Sequence, residues 1–287
     1  MSGFLLVDKP LGITSHKALQ IIRNKFSLSK IGHSGTLDPF ATGLLVVGVG
    51  EALKYISYIE DEPKVYRATM LLGSKTDTGD LCGKVIETSP VSPWVEKVEQ
   101  VFQKLKGPQT QIPPMFSAKK VEGQKLYKMA RKGLSVERKP EPITIHRLEL
   151  ISAKGNNLAF EACVSKGTYI RTFAEKIAEE LGTLGHLTEL RRIKAGIHDV
   201  ALAKKPDELK LPFDYLPISS FLTHLQTIEL DEKEATDILC GKQILKDAGE
   251  NHLKNFALYC KAHFIGLGSY NQGILTAKRM MSSLNAS

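Results

Sequence analysis

Two periods alternate along the hydrophobic pattern. Short apolar runs bounded by turn residues, at residues 4–7, 44–49, 64–72 and 85–88, predict strands. Residues 143–152 and 158–165 predict two more, set around the turn Lys154-Gly155-Asn156-Asn157. Helical spacing predicts a helix capped by Ser15, with Ala18, Ile21, Ile22 and Phe26 on one face. Another follows Ser92-Pro93 to about residue 106, with proline in its first turn and Gly107 after its end. The clearest amphipathic pattern covers 169–181, where Ile170, Phe173, Ala174, Ile177, Ala178 and Leu181 share a face and Gly182 stops the helix. Residues 51–59 and 186–192 also read as helical, and 73–83 as a polar loop.

A run holding Pro206, Pro212 and Pro217 marks a linker. Beyond it the pattern changes to one helix (232–239) and short strands (264–268, 273–277) with glycine-rich turns. The expectation is an α+β chain, with a catalytic domain at 1–217 and a small, mostly β domain at 225–287. A length of 287 residues, 42% of them hydrophobic, suffices for a sizeable core. The net charge of +8 suits a polyanionic partner without identifying one. Cys82, Cys163, Cys240 and Cys260 include no Cys-x-x-Cys pair, so neither a zinc site nor a disulfide framework is indicated. No signal-peptide pattern opens the chain and no apolar run is long enough to cross a bilayer, so a cytoplasmic protein is expected.

The chemistry concentrates around one carboxylate, Asp38, set among glycines and small hydroxyl residues with Pro39 directly after it. Proline biases Asp38 towards an extended backbone, and the following apolar run supplies a rigid support. Arg171 falls in the first turn of a predicted helix, where the macrodipole disfavours a cation. An inward pairing with a buried carboxylate would explain it, and Asp38 is the natural partner. Residues 113–139 hold eight basic residues against two acidic ones, with Phe116 and Tyr127 interleaved, a composition suited to RNA. Two-carboxylate hydrolysis would need Asp77 or Asp80 from the polar loop. His33 and Asp38 are too few for a metal site. His33, Ser34 and Asp38 lie too close in sequence for a triad, and no Gly-x-Ser-x-Gly elbow is present.

The run Gly32-His33-Ser34-Gly35-Thr36-Leu37-Asp38-Pro39-Phe40-Ala41-Thr42-Gly43 closely resembles the catalytic motif of the TruB family of tRNA pseudouridine synthases. Asp8-Lys9-Pro10, Tyr66-Arg67, Thr76-Asp77-Thr78-Gly79-Asp80, Pro113-Pro114, Ser117-Ala118 and Gly167-Thr168-Tyr169-Ile170-Arg171 resemble the same family in the same order. The resemblance implies the pseudouridine synthase fold, a mixed and mainly antiparallel sheet flanked by helices. More weakly, it implies a PUA-like C-terminal domain. Residue by residue it implies Asp38, Tyr66 and Arg171 as catalytic. It implies Tyr169 and Leu190 lining the uridine pocket, His33 against the RNA loop, and Lys9 organising the pocket. The basic segment, with Lys119, Lys125 and Arg131, is expected on the RNA backbone. The implied substrate is uridine 55 in the TΨC loop of tRNA, flipped out of its stack. Asp38 stays ionised with help from Arg171, through either attack at C1′ or a glycal. No metal or cofactor is implied, nor a membrane or an obligate protein partner, and the expected state is a monomer. The alternative reading is a tRNA-binding or folding module with secondary or no catalysis. Ser34, Val164 and His198 depart from the family's usual residues.

Overall fold

The computed structural model describes residues 2–59, 63–121, 123–246 and 255–282. Strand β1 (Gly3–Lys9) leads to α1 (Ser15–Phe26), β2 (Ile31–Ser34) and β3 (Thr42–Val49). After β4 (Lys64–Leu72) come a short hairpin, β5 (Ser74–Thr76) with β6 (Val85–Thr88), then α2 (Val98–Leu105) and β7 (Gly107–Gln111). The basic segment holds β8 (Lys120–Val121), β9 (Gln124–Lys125) and α3 (Leu126–Ala130). The hairpin β10 (Glu141–Lys154) and β11 (Asn157–Val164) is followed by α4 (Ile170–Glu180), β12 (Gly185–Ala195) and β13 (His198–Asp199).

Nine of these strands form one sheet, ordered β1-β3-β12-β4-β11-β10-β7, with β2 added to β3 and β13 to β12. Among the described residues every pairing in it is antiparallel except β3 with β12, which meet only at Thr42–Arg191 and Gly43–Arg192. β3 therefore has β1 along one side, and β12 and β2 at opposite ends of the other. Residues 35–41 loop out where the sheet splits between those two neighbours. Gly43 permits the split: its φ is +101°, and a Cβ there would lie 2.2 Å from the Arg192 carbonyl oxygen.

Both faces of β1 and β3 are buried, as period-2 alternation requires. Leu5, Val7, Leu45 and Val47 pack on Leu19 and Ile22 of α1. Phe4, Leu6, Leu44 and Val46 face the other way, into a core shared with the C-terminal region. Farther along the sheet, α2 and α4 cover β10 and β11, with Phe160 edge-on to Phe102 and Phe173. The C-terminal region adds β14 (Thr227–Glu229), α5 (Glu232–Leu239), β15 (Ile244–Leu245), β16 (Phe256–Cys260), β17 (His263–Asn271) and β18 (Ile274–Met280). Its strands form a five-stranded sheet in the order β14-β16-β17-β18-β15.

The α+β expectation holds, with local corrections. The cap of α1 is Thr14, whose hydroxyl accepts from the Lys17 amide at 3.0 Å; Ser15 is the first helical residue and is buried. Residues 50–54 form a 3-10 turn, without a continued helix. The helix expected from 92 starts at Val98, behind a 3-10 turn. Residues 186–192 are not helical but lie within β12, beside β4 at the centre of the sheet. Leu187 and Leu190 imitate helical spacing because register shifts opposite β4 break the alternation after Leu187 and after Arg192. His198 fills the aromatic position it replaces, stacking on Phe221 at 4.0 Å. Burial lowers the pKa of its imidazole. Among the described residues no helix is long and apolar enough to cross a membrane.

Candidate active site

The Asp38 loop is fastened on both sides of its carboxylate. Leu37 and Phe40 are buried in the main core, and Asp38 between them is half-buried and lines the cleft. The buried Ser15 hydroxyl accepts from the Leu37 amide at 2.9 Å and donates to the Leu37 carbonyl at 3.1 Å. The Gly12 amide donates to the Pro39 carbonyl at 2.9 Å. Lys9 is fully buried, and its ammonium reaches the Ile13, Pro10 and Pro39 carbonyls at 2.7, 3.0 and 3.4 Å. Lys9 thus ties the turn after β1 to the Asp38 loop.

Arg171 meets Asp38 in a two-point pairing, Nε to Oδ2 at 2.9 Å and Nη2 to Oδ1 at 3.3 Å. The guanidinium is 4% exposed. It also donates to the Thr78 carbonyl at 2.8 Å and the Phe116 carbonyl at 2.7 Å, and it lies 3.5 Å from Asp80. Asp80 is itself held by the Thr78 hydroxyl at 2.8 Å and the Cys82 amide at 3.0 Å. Burial in the cleft pushes the Asp38 pKa above the ordinary carboxylate value; Arg171 pulls it down, and Asp80 adds to the rise. Arg171 therefore acts on Asp38 in the expected direction, lowering its pKa, but against a larger opposing effect. The arginine moderates a rise caused by desolvation. Burial and the neighbouring Arg192 hold His33 at a pKa of about 4, so its ring is neutral at pH 7. Burial brings Lys9 to about 8.

Asp38 and Arg171 line a cavity of about 270 Å³. Tyr66 from β4, Leu190 from β12 and Tyr169 at the start of α4 line it too, so five of the expected residues converge there. Register explains two of them: Leu190 opposes Ala68, and Tyr66 opposes Arg192, across the β4–β12 pair. Gln111 braces Tyr169 by a double amide contact, accepting from its N–H at 2.8 Å and donating to its carbonyl at 3.1 Å. His33 stands on β2 outside the cavity lining, with its Nδ1 buried and lacking a partner among the described residues. Of the basic residues, Lys119 is paired with Glu141, whereas Lys125 and Arg131 lie over the Tyr127 ring at 5.8 and 5.6 Å. Sequence reasoning read Ser15 as a helix cap and placed neither it nor Gln111 nor Asp80 among the site residues. Only Asp80 carried a signal, as an acid inside one of the quoted motifs. A larger cavity, about 350 Å³, borders the other flank of α4 beside the Lys75–Glu175 pair and lacks Asp38. Among the described residues no cluster of His, Cys, Asp and Glu is arranged to hold a metal.

The architecture has close counterparts among solved structures. An H/ACA RNP bound to a substrate RNA containing 2′-deoxyuridine matches with a TM-score of 0.72 at 20% identity, over 99% of this chain and 86% of that one. A Cbf5-Nop10-Gar1 complex matches at 0.70 and 22% identity, over 97% and 84%. The fold is that of the pseudouridine synthases. Residues 23–170 match the family described as TruB family pseudouridylate synthase (N terminal domain), and residues 227–281 match pseudouridine synthase II TruB, C-terminal. A protein of Aromatoleum aromaticum named tRNA pseudouridine synthase B is 41% identical, over 99% of this chain and 94% of its own. The protein of that name from Aquifex aeolicus is 38% identical, over 98% and 100%. The chain belongs to the TruB family of pseudouridine synthases.

Proposed function

We propose that this enzyme converts uridine 55 in the TΨC loop of tRNA to pseudouridine, with Asp38 as the acting carboxylate. One observation carries the reading: the Asp38–Arg171 pair lines a cavity whose other walls include Tyr66, Tyr169 and Leu190. A cavity of this size suits a single flipped pyrimidine. The chain's strong relatives, which act on tRNA by name, support the choice of RNA.

The C1′–N1 bond breaks, the uracil turns within the pocket, and C1′ bonds to C5. The C5 proton leaves and N1 gains one, so the product is an isomer. Asp38 acts ionised, either by attack at C1′ or by supporting a glycal. Tyr66 lies against the base and is placed to accept a proton. Tyr169 and Leu190 line the uridine pocket, and the neutral His33 meets the opened RNA loop. Lys119, Lys125 and Arg131 serve the RNA backbone. In this reading residues 1–217 carry catalysis and 225–287 bind RNA, the chain acts as a cytoplasmic monomer, and neither metal nor cofactor enters. The test is to map pseudouridine in unmodified tRNA after incubation with the protein. Product confined to uridine 55 supports the reading, and product elsewhere or none overturns it.

A further inference from the structure

Two residues lining the Asp38 cavity sit at the start of α4: Tyr169 in the cap position and Arg171 in the first turn. The Tyr169 side chain makes no capping hydrogen bond. Its backbone is served from outside the helix. Gln111 ends β7, the edge strand of the sheet. It accepts from the Tyr169 N–H at 2.8 Å and donates to the Tyr169 carbonyl at 3.1 Å. That carbonyl also accepts the first helical bond, from the Phe173 N–H at 3.0 Å. A primary amide can meet an N–H and a C=O of one residue in a single orientation. Gln111 therefore grips Tyr169 as a hydrogen-bonded residue on a neighbouring strand would.

Core packing does not duplicate this grip. Ile170 and Phe173 seat the helix in the main core, and Tyr169 is not part of that core. Tyr169, Ile170 and Arg171 line the Asp38 cavity, whereas Thr172 and Phe173 line the larger cavity on the other flank of α4. Gln111 lines that larger cavity as well. The start of α4 thus borders an open space on each flank, with the buried Gln111 amide as a directional tether across it. Directional bonds set a group's position where packing leaves room for it to move.

We propose that Gln111 is a positioning residue for the reaction: its amide pair fixes Tyr169, and with it the helical turn carrying Arg171, against the base and Asp38. The inference rests on the proposed tRNA reaction. Without the pair, the cavity wall is loosely placed when the base arrives. The chemical step then slows about tenfold, while the RNA's contacts elsewhere keep its affinity within a few-fold.

Two variants of similar size separate the contact from its bulk. Gln111→Met keeps the length and neither hydrogen bond. Gln111→Glu keeps both only as the neutral acid, whose O–H donates to the Tyr169 carbonyl; its carboxylate would set an oxygen against that carbonyl. Burial raises the pKa of the introduced carboxyl. Single-turnover rates on unmodified TΨC stem-loops, with enzyme in saturating excess, are measured from pH 6 to 9, and circular dichroism confirms folding at each pH. Dividing by the wild-type rate removes the titration of Asp38, which all three proteins share. The expected result is a Gln111→Met rate about tenfold below wild type at every pH, and a Gln111→Glu ratio that rises towards one as the pH falls. A wild-type rate in Gln111→Met, or a Gln111→Glu ratio no higher than that of Gln111→Met at the lowest pH, overturns the positioning role and leaves the reaction standing. Absence of product from the wild type overturns the reaction. The Tyr169 amide signal, followed with nitrogen-labelled tyrosines, then decides the role of Gln111. A shift on adding the stem-loop that is smaller in Gln111→Met than in the wild type keeps that role, and equal shifts overturn it.

Discussion

Asp38 is pulled in two directions, by burial towards the neutral acid and by Arg171 towards the carboxylate. Burial wins, and the sign of the pH dependence follows. In the proposed reaction Asp38 acts ionised, so activity should be full above the raised pKa and fall as the pH drops through it, earlier than for an ordinary aspartate. A single-turnover rate profile checks this: an acid limb at or below the ordinary aspartate value would contradict the desolvated environment. Asp38→Asn should lower turnover at least about a thousandfold while tRNA affinity stays within a few-fold. Lys9 gives a stability test. Its folded pKa of about 8 lies below the ordinary lysine value, so between these limits the unfolded chain binds more protons than the folded one. Stability contributed by this group therefore rises with pH across that window. Lys9→Met should flatten the rise, as measured by urea midpoints from pH 7 to 10. At this scale the sequence was informative where a residue broke a local rule. Arg171 in a first helical turn foretold its pairing. Asp80 and Gln111 broke none, and their roles depend on segments brought together only by folding.

The elements divide the work between a rigid sheet and the segments attached to it. The Asp38 loop leaves the sheet where β3 exchanges β2 for β12, so its position depends on the contact at Gly43. Helix α4 was legible because its apolar stripe is continuous over three turns. β12 was not, because two register shifts scramble a central strand's alternation into something resembling a helix. β6 was found from its residue types although all four of its residues are exposed. The basic segment calls for a graded prediction. Lys125 and Arg131 share the Tyr127 ring, leaving their charges available to phosphates, while Lys119 is engaged with Glu141. Reversing Lys125 and Arg131 to Glu should make the salt dependence of tRNA binding shallower by about 0.7 per lost contact. Lys119→Glu should change that slope less and destabilise the segment by opposing Glu141. Binding isotherms at several salt concentrations distinguish them; a slope governed by Lys119 alone would place the RNA differently.

Across the whole molecule, the sequence boundary and the packing boundary differ. The proline-marked linker and the change of pattern after it suggested two domains. Phe4, Leu44 and Tyr55 share one core with Ala257, Phe264, Leu267 and Met281. Tyr55 meets Phe264 edge-on at 5.3 Å, and Phe4 lies 4.3 Å from Phe221, just past the linker. Contacts between segments two hundred residues apart leave no local period, so the pattern could show each strand's buried face but not what covers it. Burying large rings on both sides of this contact couples the two sheets energetically. Phe264→Ala should cost about 3–5 kcal/mol, the range for a large aromatic truncated in a packed core. Because the truncation opens a void between the sheets, the loss should appear in one cooperative transition that moves as a whole, followed by calorimetry alongside circular dichroism. Two separated transitions, with only the C-terminal one displaced, would mean that residues 225–287 fold as a unit of their own and that the shared core adds little to stability.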